Sequence, residues 1–398
     1  MGALQKLLTV MSFCWLFRTI LIIFLAWQQK KKSQNIQLRI INSPPIQYPL
    51  VSILIPAFNE EYSINRCLQS CLACEYSNKE IILIDDGSTD NTATQAETIQ
   101  HSHPDASINV LRLQTNQGKT IALNIGLQRA KGELIVTLDA DTFFSHRDSL
   151  LRLISPLIHQ QKLTATTANL HVLHTNEMLG MVQEIEYTKF LNTSKRAQSL
   201  LKSIMILPGA MSAFRRAALL SIGGFSTRTM AEDADATMEL LEQGHLLMFQ
   251  ADCIGITEGP HTIEDLLRQR LRWRIGQMQC LLTHPQLIFI SPTKALFYLD
   301  LAVMNLISAF TPFVIILLWN IDFSNTLRLL IWLGLGCIVA DLGCTAFAFH
   351  LDGETVPSPI SYFFYLSFFS LFNPIITWIS ITSLTLQKTT TWHHSARR

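Results

Sequence analysis

Several short segments carry side chains that could perform chemistry together. Asp139-Ala140-Asp141-Thr142 presents two carboxylates two residues apart. Hard oxygen ligands of this kind suit Mg²⁺ or Mn²⁺ held jointly with substrate phosphates. Lys119, after Asn116-Gln117-Gly118, could bring a further positive charge to phosphate. A nucleoside diphosphate leaving group requires such neutralisation. Glu232-Asp233 is an acidic pair, and a carboxylate within hydrogen-bond reach of a hydroxyl can act as its general base. Gln269-Arg270-Leu271-Arg272-Trp273 offers a guanidinium fork for phosphate oxygens and an apolar ring for a sugar face. Each segment has an ordinary alternative. Asp85-Asp86-Gly87-Ser88-Thr89 reads equally as a turn. Acidic residues at a helix start complement its dipole. A basic helix bearing Trp can lie at a membrane surface.

The elements around these segments decide between the readings. Val51–Pro56, Glu80–Asp85, Ile108–Leu113 and Glu133–Leu138 read as strands, with helices over Ser63–Ala73, from about Asp90, and over Lys119–Arg129. This βαβαβαβ order predicts a parallel sheet covered by helices. Three of the strands run into unusual polar text: Pro56-Ala57-Phe58-Asn59-Glu60-Glu61, Asp85–Asp90 and Asp139–Thr142. Ligands of such sheets bind outside the carboxyl ends of the strands, so the three endings converge on one crevice. The glycine fingerprint of a dinucleotide site does not follow the first strand, which argues against a nicotinamide enzyme. Further on, Ile204–Ala210 reads as a strand running into a turn. Helices are expected from Ala231 to about Glu242 and across Gln269–Trp273.

Composition sets the outer limits. Of 398 residues 48% are hydrophobic and only 15% charged, against roughly 25% in typical soluble proteins. Disorder is excluded. Lys plus Arg is 31 and Asp plus Glu 30, a net charge of +1 that gives no footing for nucleic acid. The apolar excess lies at the two ends. Leu7–Trp27 is long enough to cross a bilayer, which takes about 20 residues. Gln28-Gln29-Lys30-Lys31-Lys32 follows it in place of a small-residue cleavage site, so an uncleaved anchor is expected. Three more apolar runs cover about 296–319, 329–349 and 359–386. Lys30, Lys31, Lys32 and Arg39 place the middle of the chain in the cytoplasm. Three C-terminal spans would then leave Lys388, Arg397 and Arg398 outside, against the same rule. Either one run fails to cross or the tail is an exception. The expected divisions are an anchor (1–28), a basic linker (29–48), the α/β domain (49–280), an interfacial segment (281–294), C-terminal membrane helices (295–387) and a tail (388–398). Among the eight cysteines, Cys67, Cys71 and Cys74 fall on one helix face, expected to be apolar packing and not a metal site. The glycosylation acceptor Asn192-Thr193-Ser194 would go unused in the cytoplasm.

Taken in order, these segments resemble the membrane-bound glycosyltransferases of family 2, the group of cellulose, hyaluronan and poly-β-1,6-N-acetylglucosamine synthases. The stretch from Leu207-Pro208-Gly209 through Gly223-Gly224-Phe225 to Gln269–Trp273 is most similar to the bacterial poly-N-acetylglucosamine synthases. Ala231 stands where the family usually has Thr, and a single N-terminal span is fewer than many relatives carry. The resemblance implies a cytosolic GT-A, Rossmann-like nucleotide-sugar domain with transmembrane α-helices. It implies that Pro56, Ala57, Asn59 and Glu60 line the nucleotide pocket, that Asp86 contacts uracil and ribose, and that Lys119 approaches the diphosphate. Asp139 and Asp141 would hold the nucleotide sugar, Asp141 chiefly through the metal. Asp233 would be the general base, and Gln269, Arg272 and Trp273 would bind diphosphate and acceptor. The expected activity is inverting transfer from a UDP-sugar, UDP-N-acetylglucosamine, to a growing β-linked glycan at the cell membrane, coupled or not to translocation. A small membrane partner subunit would be compatible with it. Transfer of one sugar to a membrane lipid, and a nucleotide-sugar-sensing transporter without catalysis, are the alternatives.

Overall fold

A computed structural model describes residues 3–41, 48–173, 178–319 and 323–386. Among these residues eight strands form one mixed sheet: β1 (Val51–Ala57), β2 (Lys79–Asp85), β3 (Ile108–Arg112), β4 (Leu134–Leu138), β5 (Thr142–Phe144), β6 (Leu163–Val172), β7 (Met211–Arg215) and β8 (Leu246–Thr257). Their order is β3-β2-β1-β4-β7-β6-β8-β5. The first four are parallel neighbours, with β1 between β2 and β4, as the βα alternation predicts. Beyond β4 the sheet turns antiparallel at β7.

Both faces of the parallel half are buried, so its strands are apolar on both sides. Ile53, Ile55, Ile81 and Leu83 pack on one face beside Cys67, Leu68 and Cys71 of the helix Ile64–Ala73. Leu54, Ile82 and Ile84 pack on the other beside Ala122 and Leu123 of the helix Lys119–Arg129. Cys67, Cys71 and Cys74 are buried core residues.

The strand expected at Ile204–Ala210 is an irregular buried segment, and the strand there is β7. Its N–H groups find side chains instead of a neighbouring strand. Met205 donates to Gln198 Oε1 at 3.2 Å, Leu207 to Thr237 Oγ1 at 2.9 Å and Gly209 to Asp233 Oδ2 at 2.9 Å. Strands β5, β6 and β8 went unassigned in the sequence. Every residue of β6, Leu-Thr-Ala-Thr-Thr-Ala-Asn-Leu-His-Val, is buried, so it shows no alternation to read.

Among the described residues four helices are long and apolar enough to cross a membrane: Ala3–Ile41, Pro292–Trp319, Phe323–Asp352 and Pro359–Thr385, with spans beginning at Thr9, Pro292, Gly334 and Pro359. The first continues through the basic run to Ile41, because Gln and Lys are good helix formers and no Gly or Pro interrupts. Residues 42–47 and the tail from 387 lie outside the described residues. The short helix Leu287–Ile290 holds Phe289 87% exposed.

Polar contacts join the apolar helices to one another and to the sheet domain. Arg18 of the first helix meets Asp300 of the second. Lys189 meets Asp341, which also accepts from Tyr362. Arg196 meets Asp352 in a fully buried pair. Arg274, from the helix Ile263–Thr283, donates to Asn305 at 2.8 Å. Asn192 is buried, and its amide donates to Leu170 O at 2.9 Å, which closes that sequon to modification.

Candidate active site

The carboxyl ends of β1, β2 and β4 open into one cavity of about 970 Å³. Pro56 and Ala57 close β1 and line it, as do Glu60, Asp86, Lys119, Asp139 and Asp141. The far wall comes from Gly209, Glu232 and Asp233, and from Gln269, Arg272 and Trp273 of the helix Ile263–Thr283. Asp300, Leu301, Met304, Asn373 and Ile376 continue the cavity among the apolar helices. The structure therefore gathers every residue singled out above into this one space except Asn59.

Asn59 holds the rim instead. It has a positive φ of 56°, and its side-chain oxygen accepts from Thr89 N at 2.9 Å, while Ser88 Oγ accepts from its N–H. The β1 and β2 endings are thus stapled together. Asp86 is buried and accepts from the N–H groups of Gln117 and Gly118, both at 2.8 Å. Burial pushes its carboxyl up, and these two bonds oppose the shift. One carboxylate therefore lines the pocket and also fixes the loop that launches Lys119. Gly87 lets the two loops touch: a Cβ there would lie 2.7 Å from the Thr115 carbonyl carbon.

Lys119 opens its helix and points at the end of β4. Its Nζ is 2.5 Å from Asp139 Oδ1 and 3.6 Å from Glu232 Oε1. Burial works against this ammonium, but Asp139 and Glu232 outweigh burial and hold it firmly charged. The carboxylates are not satisfied in return. Burial, then Asp141 and Asp233, push Asp139 up despite Lys119. Burial and Asp233 push Glu232 up likewise, against Lys119 and Arg272. The Lys119 end of the cavity holds more negative charge than that lysine balances.

Asp233 sits in the first turn of the helix Glu232–Glu242. Its Oδ2 accepts from Gly209 N at 2.9 Å and its Oδ1 from Ala234 N at 2.8 Å, so the carboxylate has one orientation. Gly209 lies against both groups: a Cβ there would lie 3.2 Å from Lys119 Nζ and 3.7 Å from Asp233 Oδ2. Ala231 packs on Gly276 with similar closeness, since a Cβ on Gly276 would stand 2.6 Å from that of Ala231. A β-branched residue at 231 would crowd that contact.

Trp273 is held from two sides. The Arg270 guanidinium lies 4.2 Å from its ring centroid, and Tyr187 packs at 6.4 Å. Arg270 is itself fixed by Glu186, whose two oxygens accept from its Nε at 3.0 and 2.9 Å, and by Gln269. Sequence reading passed over Arg270, Glu186 and Tyr187. The first belongs to a motif in which its neighbours drew the attention. The other two lie in helical text with no signature, where Tyr187 opens a π-helical turn, Tyr187–Asn192. Such turns often mark functional positions, but no residue pattern announces them.

Comparisons with known proteins agree with this geometry. Residues 52–223 match the glycosyl transferase family 2 model. Poly-beta-1,6-N-acetyl-D-glucosamine synthase of Staphylococcus epidermidis is 32% identical over 272 residues, or 68% of this chain and 64% of that protein. The synthase of the same name from Staphylococcus aureus strain COL is 32% identical over 232 residues, 58% of this chain and 55% of that one. The chain thus matches less than two-thirds of the length of these curated relatives. The solved structure of mannosyltransferase PcManGT from Pyrobaculum calidifontis, in complex with GDP-Man and Mn²⁺, superposes with a TM-score of 0.61 at 19% identity. It covers 97% of this chain and 99% of its own, a likeness of fold that takes in the apolar helices. Sheet order, matched sequence and the crevice at the strand ends together identify residues 52–223 as a glycosyl transferase family 2 domain with the GT-A, Rossmann-like fold.

Proposed function

We propose that the protein is an inverting membrane glycosyltransferase that uses UDP-N-acetylglucosamine to extend a β-linked polysaccharide. One observation carries this reading. Asp233 is fixed by two backbone N–H groups on the wall of a cavity whose other side is the Lys119–Asp139–Asp141 cluster, and that cavity continues among the membrane helices. In this reading an acceptor hydroxyl attacks the anomeric carbon of the donor. The new C–O bond forms as the bond to UDP breaks, UDP leaves with the electron pair, and Asp233 takes the hydroxyl proton. A single displacement turns an α-linked donor into a β product, without a covalent enzyme intermediate. Arg272 and Gln269 face the diphosphate, and Trp273 offers its ring to the acceptor sugar. The Staphylococcus relatives are named as synthases of this polymer, which favours N-acetylglucosamine as the sugar.

A divalent cation fits the donor set. Asp139 and Asp141 are hard oxygen donors at the end of β4, and the charge around them is only partly met by Lys119. These two residues would hold Mg²⁺ or Mn²⁺, which would neutralise the departing diphosphate. The PcManGT structure is a complex with GDP-Man and Mn²⁺, consistent with this assignment.

The test is product analysis. Purified protein in lipid vesicles, given UDP-N-acetylglucosamine and Mg²⁺, is expected to give a ladder or high-mass product that β-hexosaminidase degrades. The apolar lining at Leu301, Met304 and Ile376 favours one second reading, transfer of a single sugar to a membrane lipid. A single organic-extractable glycolipid with no polymer would establish that reading and reject the first.

The basic run after the first span puts the catalytic domain in the cytoplasm, where nucleotide sugars are made. The domain's own Cys67, Cys71, Cys74, Cys253 and Cys280 are buried, so a reporter must be introduced. Gln128→Cys, at an exposed position, is expected to react with an impermeant maleimide only after cells are opened. Labelling from outside intact cells would reverse the topology.

A further inference from the structure

Two arginines stand close together on the helix Ile263–Thr283, Arg270 and Arg272, and both line the cavity. Arg270 has its guanidinium committed elsewhere. It is 6% exposed, and all three of its nitrogens are engaged. Nε donates to the two Glu186 oxygens at 3.0 and 2.9 Å, Nη2 donates to Glu186 Oε2, and Nη1 donates to Gln269 Oε1. A guanidinium used in this way has little left for phosphate. It also lies over the Trp273 ring, its central carbon 4.2 Å from the centroid. One face of the indole is therefore covered, and a sugar can stack only on the other.

Glu186 is not free to drift. It ends the helix Met178–Glu186, in which Gln183 donates to Pro260 O at 3.0 Å. The π-helical turn Tyr187–Asn192 follows. There Lys189 pairs with Asp341, and Asn192 donates to Leu170 O at 2.9 Å. The carboxylate that fixes Arg270 is thus held by contacts before and after it in the chain. Tyr187, from the same turn, packs on Trp273 at 6.4 Å. Arg270 and Trp273 are three apart on one helix, so they share a face of it.

We propose that Glu186 and Arg270 are positioning residues for the acceptor, a clamp that holds the Trp273 ring at one angle with one face open to the end sugar of the glycan. This rests on Trp273 being the acceptor's platform. A side chain that must be ordered as the acceptor arrives weakens binding, and one already held does not. Arg272 is left to face the diphosphate, so the two arginines divide the work between acceptor and donor.

The experiment uses the full chain in detergent micelles, its seven tryptophans replaced by 5-fluorotryptophan and observed by fluorine NMR. The resonance lost in Trp273→Phe assigns Trp273. In Arg270→Met and in Glu186→Gln that resonance is expected to move and broaden while the others stay. Arg270→Lys keeps the charge but not the fork, and is expected to behave as Met does. UDP affinity, titrated on the same samples, is expected to stay near the wild-type value. With a soluble β-linked N-acetylglucosamine oligomer as acceptor, KM for the oligomer is expected to rise about three- to tenfold at nearly unchanged kcat.

A Trp273 resonance that stays in place in both Arg270→Met and Glu186→Gln would overturn the proposal. A moved resonance with an unmoved acceptor KM would do the same. A fall of about tenfold in UDP affinity in Arg270→Met would put Arg270 on the diphosphate instead. If every tryptophan resonance moves in both variants, the pair holds the fold and not the platform, and the proposal fails. A wild type that makes only a glycolipid would reject the polymer reading, while the resonance and the UDP titration still decide the clamp. One inert with every donor and acceptor would overturn both.

Discussion

Asp233→Asn is expected to fold, to bind donor with near-normal affinity, and to transfer sugar about 10²–10⁴-fold more slowly, the usual cost of losing a general base. The fold survives because the substitution is nearly isosteric and the site tolerates an amide in part. Asp233 accepts from Gly209 N and Ala234 N through different oxygens. Asn keeps one carbonyl oxygen for one of these bonds and turns its NH₂ toward the other donor. The N–H left facing the NH₂ costs about 1–3 kcal/mol, below the roughly 5–15 kcal/mol stability of a domain. Donor binding survives because the substitution leaves untouched the residues assigned to the nucleotide, at the ends of β1, β2 and β4, on the helix opened by Lys119 and on the helix Ile263–Thr283. What cannot survive is proton acceptance, since an amide oxygen is a far weaker base than a carboxylate. The measurement is single-turnover transfer, with donor affinity from titration and folding from thermal unfolding in the same detergent. Near-normal turnover would remove Asp233 from the mechanism. A variant that also loses donor binding would mean that the helix Glu232–Glu242 has moved.

Exhaustive chelation is expected to abolish transfer, and added Mn²⁺ or Mg²⁺ to restore it. The reason is electrostatic. Asp139 and Glu232 are both pushed toward protonation by burial and by their acidic neighbours, although Lys119 opposes the shift in each. A donor diphosphate brings further negative charge into the same space. Without a cation, donor binding must then overcome repulsion in a partly desolvated site, where charges interact more strongly than in water. Asp139 and Asp141 fill only part of a six-coordinate shell, so phosphate oxygens and water are needed to complete it. Asp141→Ala is therefore expected to raise the metal concentration needed for half-maximal rate, while Lys119 keeps Asp139 in place. Isothermal titration of Mn²⁺ with and without UDP provides a readout independent of turnover. Full activity after chelation would reject metal dependence.

Much of the fold can be read from local text. The strands β1 to β4 alternate with helices in a spacing that admits few arrangements, and both faces of the sheet must be covered. The polar endings at Pro56, Asp85 and Asp139 then had to meet, because parallel strands place their carboxyl ends on one edge. The long apolar helices were equally plain, since about 20 apolar residues in succession stand out from the rest of the chain. The irregular run Ile204–Ala210 was misread because apolarity alone cannot distinguish a strand from a buried loop. Its N–H groups are satisfied by Gln198, Thr237 and Asp233, which lie far from one another in sequence.

What sequence alone determined is the set of groups that can do chemistry: carboxylates at strand ends, an acidic helix start, and a basic helix with a tryptophan. Residue type and local spacing suffice for that, since each group declares itself within a few positions. Only the tertiary structure decided how those groups share charge and orientation. It turned Asn59 into a rim staple and set Arg270 and Glu186 beneath Trp273. Such roles depend on distances between residues tens of positions apart. Long-range packing fixes those distances, and short stretches of text do not encode them.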